Sequence, residues 1–385
     1  MPSKLLTLYA MQASLFSAKV RAWLKYNNVD FVEKSVGEEY LESIAPKVGR
    51  WIIPVVVTPN DEILQDGTDI LDWLDKNVPN KGSIYPEEPV LRAIAHVFEL
   101  FGGEGLLRPA MHYRWNFDQH NLSFLKVSFR DIFPTSIDSE SAEMMFEHQV
   151  AKKMRKAACF FGVTEDTTTL IEEAYLEFLD LLEKHLKTYP FLLGTAPSIG
   201  DYSLFGPLFA HLGRDPYPLS IMQARAPNVF QWIERMQSPQ TIENPIYQKA
   251  NIYSFDGENI PDTLLALLTF VSEEYLPEIS AHVAFANEWL SANPNIKPGE
   301  VGIEKPHPQV TLGMSEFDWR GTKIKTSVMI YRFYLLQRLT DHFHKLALDH
   351  QNTVKEAYRK VGLCNLLSLK TTRRVVRNQF KEVWE

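Results

Sequence analysis

The sequence predicts an α/β unit over residues 1–80, an all-helical unit over 88–250 and a mostly helical extension over 255–385. Three observations carry this division. Residues 4–77 alternate short apolar runs with amphipathic stretches. Beyond Pro89 most segments repeat their apolar residues three and four apart, the period of a helix face. Near the far end, "SVMIYRFYLLQRLTDHFHKL" is apolar over so much of its circumference that it must be buried.

In the first unit "LLTLY" reads as a buried strand, and Phe16 to Asn27 as a helix with Val20, Trp23 and Leu24 at helical spacing. "DFVEKSV" alternates like a second strand, and "EEYLESIA" is a short helix. "IIPVVVTPNDEILQ" is a β-branched strand, a turn at Thr58-Pro59-Asn60-Asp61 and a returning strand; "GTDILDWLDKNV" is a helix that buries Ile70, Leu71 and Leu74. The order is β-α-β-α-β-β-α. Pro54 opens its strand, where proline costs no ladder hydrogen bond.

The second unit holds "VLRAIAHVFELFGGEGLL", "SAEMMFEHQVAKKMRKAACFFGV", "TTLIEEAYLEFLDLLEKHLKTY" and "SIGDYSLFGPLFAHLG", separated by Pro and Gly signals. Ser198 and Asp201 have the spacing of a capping box. After a turn-rich connector comes a helical stretch in which Pro277 is expected to kink or break the helix, then a loop with a hairpin, then the long apolar helix. The terminal "TTRRVVRNQFKEVWE" reads as a solvated last helix bearing Arg373, Arg374, Arg377 and Lys381.

Composition bounds the function. The chain is 45% hydrophobic and 12% aromatic, apolar enough for real cores, and its formal charge of −8 argues against general nucleic-acid binding. Two cysteines, Cys159 and Cys364, exclude a disulfide framework or a cysteine zinc site and fit a reducing compartment. The N-terminus lacks a signal-peptide core and no run reaches the roughly 18 apolar residues of a membrane span, so a cytoplasmic protein is expected. Gly102-Gly103-Glu104-Gly105 lacks the Lys-Ser/Thr of a phosphate loop, and the histidines among Asp341, His342, His344, Asp349 and His350 have no four-residue spacing, so no metal is expected.

The stretch "SLFSAKV" places Ser14 and Ser17 at the start of the first helix. Unpaired N–H groups and the helix dipole favour negative charge there, which suits a thiolate. A serine in that position also serves simply as an N-cap. Both roles stay open on the sequence.

The strand order is thioredoxin-like, and over residues 4–248 the chain resembles the glutathione transferase superfamily. The marks are "LYAMQASLFSAKVRAWL", "IIPVVVTP", "LQDGTDILDWL" and "FLLGTAPSIGDYSLFGPLFAHL", in that order. "RPAMHYRWNF", "GPLFAHLGRDP" and the extension narrow the resemblance to a long-chain group. It implies that glutathione is the co-substrate, attacking a small electrophile in conjugation, isomerisation or reductive removal of a leaving group, chemistry of the detoxification kind. A non-catalytic scaffold, as in elongation factor gamma subunits or metaxins, is the alternative.

The resemblance also assigns positions. Ser14 is where serine-type members hold the glutathione sulfur, with Tyr9 as a runner-up whose register to Arg21 is one residue too long. Ser17 replaces the second cysteine of a Cys-x-x-Cys motif. Ile53 and Pro54 form the cis bond that faces the first helix. Asp66 fits the acid that holds the γ-glutamyl amine; Gly67 departs from the family serine, Thr68 substitutes for it, and Asp69 adds a negative charge. Lys47 and Arg50 are the cations nearest the glycine carboxylate. His112, Tyr113, Arg114 and Trp115 are read as the wall of an acceptor pocket, with interhelical packing as the alternative. The extension either covers that pocket or occupies the surface through which shorter members form homodimers.

Overall fold

In a computed structural model the described residues are 5–238, 255, 259–303 and 311–385. The first unit contains β1 (Leu6–Tyr9), α1 (Leu15–Tyr26), β2 (Phe31–Lys34), α2 (Glu38–Ser43), α3 (Ala45–Val48), β3 (Val55–Val57), β4 (Ile63–Gln65) and α4 (Gly67–Asn77). The sheet order is β2-β1-β3-β4, with β1 parallel to β2 and the other two pairings antiparallel. This is the thioredoxin-like sheet. Leu8 and Val56 pair across the central strands and are fully buried, because strands covered on both faces read as continuous apolar runs. The Ile53–Pro54 peptide bond is cis.

The second unit is all helical: α5 (Pro89–Leu100), α6 (Leu107–Trp115), α7 (Asp118–Ser128), α8 (Ser139–Met145), α9 (Lys152–Ala157), α10 (Thr168–Leu186), α11 (Ile199–Pro207), α12 (Pro216–Arg225) and α13 (Pro227–Met236). Single π-helical stretches at Phe101–Gly105 and Leu208–Leu212 extend α5 and α11. The capping box forms, the Asp201 carboxylate accepting from the Ser198 N–H at 2.8 Å. It accepts from Leu192 N–H and Trp232 Nε1 as well, so one buried acid ties together three segments of this unit. Burial pushes the Asp201 carboxyl up to about 6 despite those donors.

The two units meet where α1 packs on α11. Gly206 permits this contact: a Cβ there would lie 2.7 Å from the Leu15 carbonyl oxygen. The start of α1, the segment of interest for function, is therefore seated directly on the helical unit.

The extension comprises α14 (Asp262–Ala292), β5 (Thr311–Trp319), β6 (Thr322–Met329), α15 (Ile330–Lys345), α16 (Leu348–Lys360), β7 (Val375–Asn378) and β8 (Lys381–Trp384). It differs from expectation in three ways. Helix α14 runs through Pro277 without interruption. The segment "SVM" completes β6, and the helix starts only at Ile330. The C-terminus is an antiparallel hairpin, Val375 opposite Trp384, rather than a solvated helix. Its turn passes through Gln379 and Phe380 with φ of 45° and 64°, so the tight hairpin turn is made without glycine. The turn-rich connector expected between the second unit and α14 lies largely outside the described residues.

Helix α15 packs on α5, and Ile330, Phe333, Leu335, Leu336 and Leu339 are buried. Trp384 of the hairpin is fully buried beside Phe333 and Trp289. The extension shares one continuous core with both preceding units.

Candidate functional site

The site is built at the start of α1 and the start of α4. Ser14 caps α1: its Oγ accepts the Ser17 N–H at 3.2 Å. A hydroxyl that accepts from the backbone keeps its own proton to donate. Ser14 is half-buried, whereas the Ser17 hydroxyl is fully buried and finds no partner among the described residues. The loop before Ser14 is fixed from the helical unit, since Arg114 Nη1 donates to the Ala13 carbonyl at 2.7 Å.

Pro54 is buried at the start of β3, and the Tyr40 hydroxyl donates to the neighbouring Ile52 carbonyl. Asp66 caps α4 with φ of 83°, a conformation that side-chain-bearing residues seldom adopt. Its Oδ1 accepts from the Thr68 N–H at 2.8 Å and the Asp69 N–H at 3.3 Å, which holds the backbone in that turn. Gly67 has a local reason for departing from serine: a Cβ there would meet Cε of Lys19 at 2.3 Å. Lys19 Nζ continues to Thr68 Oγ1 at 2.9 Å.

The extension reaches this same corner. The Tyr331 hydroxyl lies 3.0 Å from Asp66 Oδ1 and 3.2 Å from Thr68 Oγ1. The Tyr334 hydroxyl donates to Asp69 Oδ1 at 2.7 Å, and Arg377 Nε donates to Asp69 Oδ2 at 3.1 Å. Arg377 also donates to the Gln65 side chain and pairs with Glu382. Arg50 donates to the Phe380 carbonyl at 2.6 Å. Burial alone would raise the Asp66 carboxyl, but Arg377, Lys19, the Thr68 N–H and the Tyr331 hydroxyl outweigh it and hold it below the usual range. Asp69 goes the other way: burial and the charge of Asp66 push it up to about 6 against the pull of Arg377.

Several expected site residues lie elsewhere. The Tyr9 hydroxyl reaches Glu39 at 3.3 Å, with its ring against Tyr40, so it is engaged toward α2. Lys47 is exposed on α3. His112, Tyr113, Arg114 and Trp115 do not wall an open pocket; all four are buried. His112 contacts Glu172 at 3.0 Å, Tyr113 stacks on Phe117 and packs against Tyr175, and Trp115 belongs to a core with Phe129 and Phe146. Arg114 pairs with the buried Asp215 at 2.6 Å and donates to the Ala210 carbonyl as well as to Ala13. Every residue of α6 is buried, so its large polar side chains are satisfied by partners on neighbouring elements. The groups that sequence reasoning missed are Tyr331, Tyr334 and Arg377. A Tyr-x-x-Tyr pair on one helix face was visible, but nothing local showed that it meets α4.

Two family models match the chain. Residues 8–82 match the glutathione S-transferase N-terminal domain, and residues 165–235 match the C-terminal domain. The chain therefore carries the N- and C-terminal domains of glutathione S-transferases, and the extension follows those two domains. No curated protein matches it. Among solved structures, the β-etherase LigF from Sphingobium sp. strain SYK-6 aligns at 18% identity over 64% of this chain and 98% of its own, with a TM-score of 0.43. Glutathione transferase GSTFuA3 from Phanerochaete chrysosporium aligns at 16% identity over 63% and 99%, also at 0.43. FzlA from C. crescentus aligns at 17% identity over 64% and 91%, at 0.38.

Proposed function

We propose that the chain is a thiol-handling enzyme of the transferase type, in which the Ser14 hydroxyl activates the thiol of glutathione for attack on a small electrophile. The observation that carries the reading is the hydrogen-bond state of Ser14. Its oxygen accepts from Ser17, which leaves the O–H free to donate to a sulfur at the N-terminus of α1. A free thiol has a pKa of about 8.5, and each unit of lowering takes about 1.4 kcal/mol of thiolate stabilisation. One charge-assisted hydrogen bond together with the helix terminus is of that size. In conjugation the thiol proton passes to solvent, the sulfur lone pair forms the new S–C bond, and the leaving group departs with its bonding electrons. Holding both reactants supplies the larger part of the acceleration.

The test is the pH–rate profile of the full chain with glutathione and a generic aryl halide. Ser14→Ala is expected to lower kcat/KM roughly tenfold at pH 6.5 and much less at pH 9.5, where the thiol ionises unaided. A uniform loss at all pH values would reduce Ser14 to a helix cap. The second reading is a non-catalytic binding protein. The prior engagement of Asp66 and Thr68 by Tyr331 and Lys19 favours it, and failure to bind any thiol at millimolar concentration would select it.

A further inference from the structure

The polar groups at the start of α4 form a closed set with the extension. Tyr331 has one hydroxyl proton and sits within hydrogen-bond distance of two oxygens, Asp66 Oδ1 at 3.0 Å and Thr68 Oγ1 at 3.2 Å. The set closes when Lys19 donates to Thr68, Thr68 donates its own proton to Tyr331, and Tyr331 donates to Asp66. Thr68 has then given its one proton, and Asp66 Oδ1 already serves two backbone N–H groups. The space beside Gly67 is filled by the Lys19 stem, which a Cβ would meet at 2.3 Å.

Two further contacts hold Tyr331 in place. Tyr334, one turn along α15, and Arg377 of the terminal hairpin both grip Asp69, the residue after Thr68. Arg377 also reaches the carbonyl of Gln65, on the strand that precedes α4, at 3.3 Å. The plugging side chain is therefore anchored from a helix and a hairpin at once. A ligand whose amino-acid head group is to lie between Asp66 Oδ1 and Thr68 would have to displace Tyr331.

We infer that Tyr331, positioned by Tyr334 and Arg377, is a built-in plug of the head-group subsite. Glutathione is accordingly held through its cysteinylglycine portion at the Ser14 end of the site, with its γ-glutamyl arm outside this subsite. This rests on the thiol-handling reading above. Tyr331 acts as a specificity determinant: its ring occupies the place that a charged head group would need, its hydroxyl fastens the ring to Asp66 and Thr68, and thiols without that arm never meet it.

The experiment is calorimetric titration of the full chain with glutathione and with N-acetylcysteinylglycine, which keeps the cysteinylglycine portion and replaces the γ-glutamyl arm by acetyl. Wild type is expected to bind the two within about threefold of each other. Tyr331→Ala is expected to tighten glutathione at least tenfold and leave the acetylated dipeptide unchanged. Tyr331→Phe keeps the ring in place and is expected to show no such gain. Wild type binding glutathione tenfold or more tightly than the dipeptide overturns the plug and leaves the thiol-handling reading intact. A folded Tyr331→Ala protein with no gain for glutathione also overturns it. Glutathione binding only to Tyr331→Ala upholds the plug in its strictest form. Neither thiol binding to any of the three proteins overturns both proposals together. Should Tyr331→Ala fail to fold, the wild-type comparison decides.

Discussion

Arg114 shows how one residue couples the two family domains. Its guanidinium pairs with Asp215 and bonds the carbonyls of Ala13 and Ala210, all out of water. Removing one partner of such a pair leaves an uncompensated buried charge, which costs about 3–5 kcal/mol. Arg114→Met is expected to destabilise the chain by that amount in denaturant unfolding. Adding Asp215→Asn should recover part of the loss, because burial pushes the Asp215 carboxyl upward and Arg114, more than Arg214, draws it back. Additive losses in the two variants would show that the pair is not coupled. The same guanidinium holds the Ala13 carbonyl, one residue before Ser14, so it is a positioning residue for the serine.

At the scale of elements, the seam between α4 and the extension is polar, and that gives it a pH dependence. Asp69 faces Asp66, Asp72, Arg377 and Tyr334 and is raised to about 6 in the folded protein, above its ordinary value. A raised acid binds its proton more tightly when folded, so its contribution is fully present below the unfolded pKa and is lost as pH rises through about 6. Asp69→Asn removes this titration. The Tm of wild type is therefore expected to fall relative to the Asp69→Asn variant between pH 4.5 and 7.5. Parallel Tm curves for the two proteins would mean that Asp69 titrates normally. The hairpin supplies Arg377 to this seam because its turn brings β8 back and buries Trp384, which fixes the position of β7 against α15.

For the molecule as a whole, the extension is part of the core. Phe333, Leu336 and Leu339 of α15 belong to the same apolar cluster as α5, and Phe270 of α14 contacts Phe101 and Phe178. A second tie is ionic and buried: Arg332 joins Glu104 of the second unit to Glu278 of α14, at 3.0 and 2.6 Å. Removing residues after Tyr247 would expose that apolar surface and leave Glu104 without its cation, so the shortened chain is expected to aggregate or be insoluble. A soluble, monodisperse and fully active shortened chain, checked by light scattering, would make the extension an independent appendage.

What the sequence determined by itself is what local chemistry controls. The β-α-β-α-β-β-α order followed from apolar period, the capping box at Ser198 from a three-residue spacing, and the cis bond at Pro54 was expected from the resemblance that those elements carry. Ser14 as a cap was equally legible, because a cap is decided within four residues. The terminal hairpin was missed although "VVRNQFKEVW" holds β-branched residues on both sides of its turn; Gln379 and Phe380 lack the glycine or asparagine that signals such turns. Only the tertiary structure decided the fate of Asp66, Thr68 and Asp69, and of the polar residues on α6. Tyr331 lies 265 residues from Asp66 and Arg377 lies 308 from Asp69, and a contact at that separation leaves no periodicity, cap or turn in the chain for a reader to find.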